Sequence, residues 1–187
     1  MSNLTPPALL LVDIQQGFDD IEYWGGHRNN PDAEFKAGEV LTLWRQKGWP
    51  IIHVKHNSTN PASPLVAGKP GNAIHSAVQP QGDEPVLEKT VNSAFIGTDL
   101  EERLLRAGIQ RVVIVGMTTN HCISTTVRMS GNLGFETYLV KDAAATFDTI
   151  GVDGTKFDAQ VIHDTSLANL DKEFCQVIHS SQLEDLF

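Results

Sequence analysis

Three residues of different chemical type stand at comparable places in the chain. Asp13 follows the apolar run Ala8-Leu-Leu-Leu-Val12, Lys89 follows Pro85-Val-Leu-Glu88, and Cys122 comes soon after the run from Arg111 to Gly116. Together these types suit nucleophilic attack on a carbonyl carbon. The attacking species is a thiolate, which a helix N-terminus or a nearby ammonium favours. A carboxylate can take the thiol proton and later deliver it to a leaving nitrogen. Backbone N–H groups at a strand-to-helix turn are placed to hold an oxyanion, and losing one such donor typically costs about 10²–10³ in rate. Taken singly, each residue has an ordinary structural reading. A lone cysteine is a small buried hydrophobe, an aspartate after a strand is a cap or loop hydrogen-bonder, and a lysine is a solvated charge. The conjunction at strand ends is what points to chemistry.

Those ends have meaning only if the runs are strands. Ala8–Val12, Pro50–Val54, Pro85–Glu88, Arg111–Gly116, Glu136–Lys141 and Phe174–Ile178 read as short apolar strands. Helical patterns separate them. Asn30-Pro31 reads as an N-cap with proline at the first helical position, Ala37, Val40, Leu41 and Trp44 recur at helix spacing, and Gly48 sits where a C-cap belongs. Thr98 to Glu101 reads as a capping box, with Leu100, Leu104 and Leu105 on one face and Gly108 as the stop. His121 to Leu133 reads as a helix stopped by Gly134, and Ala159 to Leu170 as a late helix. Strands apolar throughout, separated by amphipathic helices, predict a parallel α/β sheet covered on both faces. In such sheets the ligand crevice lies beyond the carboxyl ends of the strands, where all three residues would share one edge.

The bulk properties exclude several classes. A chain of 187 residues fits one domain, 1–187, and 41% hydrophobic residues can fill a core. The formal net charge of -9, without a basic run, speaks against nucleic-acid and anionic-membrane partners. No segment approaches the roughly 20 apolar residues of a membrane helix. Met1 to Pro7 is polar and Ala8–Val12 is too short for a signal peptide, so the expected location is cytoplasmic. The two cysteines, Cys122 and Cys175, are expected as free thiols there. Without a Cys-x-x-Cys, a redox role is weakly supported.

The segment Gly116-Met-Thr-Thr-Asn-His-Cys-Ile-Ser-Thr-Thr126, continuing through Arg128 and Gly134, resembles the nucleophile segment of the isochorismatase-like cysteine hydrolase superfamily. Leu10-Leu-Val-Asp-Ile-Gln-Gln-Gly-Phe18 is similar to that family's first strand and aspartate, and Lys89-Thr-Val-Asn-Ser-Ala-Phe95 to its lysine segment. Lys141-Asp-Ala-Ala-Ala-Thr-Phe147 is similar to the strand after the nucleophile helix, and His163 to Phe174 to a late helix. The resemblance implies a three-layer αβα sandwich around a six-stranded, mainly parallel sheet. It implies a catalytic triad of Asp13, Lys89 and Cys122, acting through an acyl-cysteine. It also implies a cis peptide at Met117-Thr118, with the backbone N–H groups of Thr118 and Cys122 as the oxyanion hole. Family members that cleave a vinyl ether lack the cysteine. Its presence here implies hydrolysis of a C–N bond in a small amide or ureide, as a small-molecule substrate.

Nicotinamidases of that superfamily hold a divalent ion with Asp-x-His and a further histidine. The corresponding stretch here, His53-Val-Lys-His56-Asn57, has no such motif, so neither metal nor other cofactor is expected. His53 reads as a core or interface histidine, and His75 is the next one along, in the loop-rich stretch. Expected substrate contacts are Phe18, Trp24, His56, Phe95, Thr119 and Phe147, with Asn92 as a further hydrogen-bond donor. His121, beside Cys122, is not expected to be the base, because neighbours at a helix start point different ways. The resemblance further implies a homo-oligomer, dimer or tetramer, with the loop-rich segment 57–83 as interface or lid. Ester cleavage on the same triad, isochorismatase-type hydrolysis on the same fold, and a non-catalytic binding subunit remain alternatives.

Overall fold

A computed structural model describes residues 5–187. The expectation for the extreme N-terminus concerns Met1–Leu4 in part, and these lie outside the described residues. The elements in chain order are β1 (Ala8–Val12), α1 (Ile21–Trp24), α2 (Ala33–Lys47), β2 (Ile51–His56), β3 (Val86–Lys89), α3 (Leu100–Arg106) and β4 (Arg111–Met117). They continue with α4 (Ser124–Asn132), β5 (Glu136–Ala145), β6 (Thr149–Ile150), β7 (Lys156–Phe157), α5 (Ala159–Leu170), β8 (Gln176–Ile178) and α6 (Leu183–Leu186). Six strands form one parallel sheet in the order β3-β2-β1-β4-β5-β8. β6 and β7 form a separate antiparallel hairpin.

Alternation along each strand builds two apolar layers, one per face. Leu10, Val12, Ile114 and Leu139 pack with Leu100, Leu104, Ile123, Val127 and Leu167, the inner faces of α3, α4 and α5. Leu9, Leu11, Val113 and Val115 pack with Ala37, Val40, Leu41, Trp44 and Leu183 from α2 and α6. Helices on both faces make the three-layer αβα arrangement. Gly116 is required where β4 meets β1. Its φ is +135°, and a Cβ there would lie 1.9 Å from the Val12 carbonyl oxygen.

Long-range contacts override several local signals. Asn30 does not cap α2, which Asp32 precedes without a side-chain cap. Instead Asn30 has a φ of +42°, and its amide donates to the carbonyls of Lys141 (3.0 Å) and Ala144 (2.8 Å). Gly48 ends α2 in the left-handed conformation, as expected. Asp99, not Thr98, precedes α3, although the Thr98 hydroxyl accepts from the Leu100 N–H. Leu105 faces solvent while Leu100 and Leu104 are buried. The helix expected from His121 begins instead with a wide π-helical turn, Thr119–Ile123, which carries Cys122. β5 runs four residues beyond the expected Lys141, because its register with β4 shifts between Ile114 and Gly116 and then resumes at Ala144 and Ala145. Among the described residues no helix is long and apolar enough to cross a membrane.

Candidate active site

Strand order places the chemistry. The order in which strands are added reverses between β1 and β4: β2 and β3 lie on one side of β1, and β4, β5 and β8 on the other. The crevice beyond the carboxyl ends opens at such a switch point. Asp13 follows β1 there, and the turn with Cys122 follows β4. His56 and Lys89 are register partners at the ends of β2 and β3, so their side chains are neighbours.

Asp13 is 1% exposed and sits at φ +56°, a conformation that short polar side chains tolerate better than others. Its N–H donates to the Val54 carbonyl (2.8 Å), which ties the turn to β2. The Lys89 ammonium, also buried, donates to Asp13 Oδ2 at 2.5 Å and lies 3.2 Å from His56 Nδ1. The other carboxylate oxygen, Oδ1, is buried without a hydrogen-bond partner among the described residues. An unpartnered carboxylate oxygen in a dry site is a ready proton acceptor. Ligand atoms of Asp13, His56 and Cys122 all lie within 4.8 Å of one another. The half-buried Cys122 thiol donates to the Asn92 side-chain oxygen at 3.7 Å.

The electrostatics set the resting state. Burial pushes the Asp13 carboxyl above its ordinary range, with the Lys89 charge opposing that shift. Burial, then the neighbouring Asp13 charge, pushes the Cys122 thiol well above its usual range. That shift favours the neutral thiol of Cys122. Lys89 lowers the thiol, as expected of a nearby ammonium, and desolvation is the larger effect. Burial and the Lys89 charge hold His56 below the usual histidine range, so its ring is neutral.

These groups open into a cavity of about 360 Å³. Phe18, Trp24, His56, Asn92, Thr118 and His121 line it. Trp24 is fixed by its indole N–H to the Gly17 carbonyl (2.7 Å) and packs against Phe18 with ring centroids 4.7 Å apart. Three expected contacts lie elsewhere. Phe95 is buried in the core and stacks on Phe135. Thr119 is fully buried, and its hydroxyl meets His163 Nδ1 at 2.8 Å. Phe147 sits behind the wall, 6.2 Å from Phe18 and 6.0 Å from Trp24 between centroids. His53 is buried against Glu84 (3.0 Å), and His75 lies outside the cavity. The lining residues missed in the sequence are Tyr23, Ser58, Asn60, Ser63 and Leu65. Four of these belong to the segment 57–83, which forms a wall of the cavity. The peptide Met117-Thr118 is cis.

The residues that match the isochorismatase domain model run from 7 to 182. A relative from Bacillus subtilis, an uncharacterized isochorismatase family protein, is 48% identical over 94% of this chain and 93% of its own. The chain belongs to the isochorismatase family. A solved structure of an isochorismatase-family hydrolase from Chromobacterium violaceum shares 43% identity, with a TM-score of 0.91 over 95% of this chain and 91% of that one. Nicotinamidase 3 of Arabidopsis thaliana is 27% identical over 94% of this chain and 86% of its own. The fold is thus that of isochorismatase-family hydrolases.

Within this isochorismatase-family site, Asp13, His56 and Cys122 are the one group among the described residues whose spacing could hold a metal ion. The Lys89 ammonium already lies against two of them. The positive charge a divalent ion would bring is supplied by the protein, so the donor set fits a metal poorly. Lys89 is also expected to contribute to stability through its buried pair with Asp13. Breaking a buried ion pair by removing one partner typically costs about 3–5 kcal/mol. In Lys89→Met, thermal unfolding at neutral pH is expected to drop by roughly 10 °C, with hydrolytic activity lost alongside. An unchanged melting temperature would show that the pair contributes nothing net.

Proposed function

We propose that this chain is a cysteine amidohydrolase that cleaves a C–N bond of a small amide or ureide through an acyl-cysteine. The observation that carries the reading is the buried Lys89–Asp13 pair, with a carboxylate oxygen of Asp13 within 4.8 Å of the Cys122 sulfur and Oδ1 left without a hydrogen-bond partner among the described residues. As Sγ bonds to the carbonyl carbon, its proton passes to Asp13. The carbonyl oxygen takes the negative charge and is held by the N–H groups of Thr118 and Cys122. Collapse expels the nitrogen, which leaves as ammonia or an amine with the proton from Asp13. Water then attacks the thioester, gives a proton to Asp13, and the carboxylic acid departs as the sulfur recovers its proton. Lys89 keeps the carboxylate in place throughout. Asp13, whose pKa burial raises, is a better base than an ordinary carboxylate. The nicotinamidase among the relatives is named for an amide, which agrees with this chemistry.

The test is intact-mass spectrometry of the protein during incubation with a panel of small amides, ureides and esters, with ammonia followed in parallel. The expected result is a transient acyl adduct on Cys122 together with ammonia release. Product formed only from esters would reassign the reaction, and an inert thiol with no product would favour a binding subunit.

A further inference from the structure

The cavity carries a second, independent message in its charge. Among the described residues, no lysine or arginine side chain lines it. Cations of the surrounding segments are committed. Lys89 is bound to Asp13, and Lys69 donates to the carbonyls of Pro61 (2.7 Å) and Ser63 (3.0 Å) behind the wall. Arg28 is paired with Glu34. Both lining histidines are held neutral: His56 by burial and Lys89, and His121 by burial. A carboxylate entering this space would lose its water and meet no opposite charge, a costly exchange. One wall is aromatic instead, with Phe18, Trp24 and, at the mouth, Tyr23, whose ring meets Trp24 edge-on at 4.9 Å. Flat faces of this kind recognise flat, uncharged rings.

Resting on the amide-hydrolase reading, we infer that the site selects neutral, planar amides or ureides and rejects those bearing a carboxylate. Selection is made by a cavity that no cationic side chain lines and by its aromatic wall, before any chemistry occurs.

The experiment measures binding and so does not depend on turnover. Iodoacetamide labelling of Cys122 in the wild type is followed by peptide mass mapping, in which the buried Cys175 is read separately. The competitors are benzamide and 4-carbamoylbenzoate, matched in shape and differing in charge. Benzamide is expected to protect Cys122 at a concentration at least about tenfold lower than 4-carbamoylbenzoate. Tyr23→Arg, at the exposed mouth, is expected to narrow that ratio by improving protection by the carboxylate. Equal or better protection of the wild type by 4-carbamoylbenzoate, or no protection by benzamide, would overturn the inference. Benzamide hydrolysis is measured alongside. Protection without hydrolysis would count against the proposed reaction while leaving the selection intact.

Discussion

Cys122→Ala is expected to lose at least about 10⁴-fold in turnover while the protein stays folded. The size of the loss follows from the role. Without the sulfur no acyl intermediate forms, and what remains is whatever the oxyanion donors and binding contribute alone. Stability should change little. Cys122 is half-buried, makes one long thiol hydrogen bond, and contributes little packing beyond its contact with the inner layer. A truncation of this kind costs about 1 kcal/mol or less, which is a shift of a few degrees in a chain of this size. The same variant should also show no acyl adduct by mass. Turnover within tenfold of the wild type, with contaminating hydrolases excluded, would remove Cys122 from the mechanism.

Much of this site was legible in the sequence because strand ends are. An apolar run of five residues followed by Asp13, and a run of six ending at Gly116 before a helix, reveal a parallel sheet and its carboxyl edge without any contact being known. What stayed hidden was set by partners far along the chain. Asn30 looks like a helix cap until Lys141 and Ala144, more than a hundred residues on, claim its side chain. Thr119 looks like a substrate contact because it lies three residues before Cys122, yet the π-helical turn points it at His163. Phe95 follows the lysine segment and packs with Phe135 instead. Ser58, Asn60 and Ser63 carry no sequence signal at all, since loop side chains take direction from the fold and not from spacing. The net shift of the Cys122 thiol is hidden for a similar reason. The favourable neighbours are visible in a sequence, and the depth of burial that outweighs them is not.

Depth of burial also shapes the second large effect, in Asp13→Asn. The replacement keeps shape and tolerates φ +56° equally well, so the turn after β1 should persist. Two consequences then move in opposite directions. The Asp13 charge raises the Cys122 thiol, so removing it should shift the labelling profile of Cys122 toward lower pH and quicken alkylation at a given alkaline pH. Asparagine cannot accept the thiol proton or return it to the leaving nitrogen, so turnover should fall by about 10²–10⁴. General damage to the site would slow both reactions together, and faster labelling with lost turnover separates proton transfer from positioning. The wild type offers a matching check. Activity requires the Asp13 carboxylate, whose pKa burial raises, so kcat/KM should climb with pH through a value above the ordinary aspartate range. That acidic limb should be absent from the residual activity of Asp13→Asn. If the variant kept a limb at the same pH, another group would be the base, and the unpartnered Asp13 oxygen would be an accident of packing.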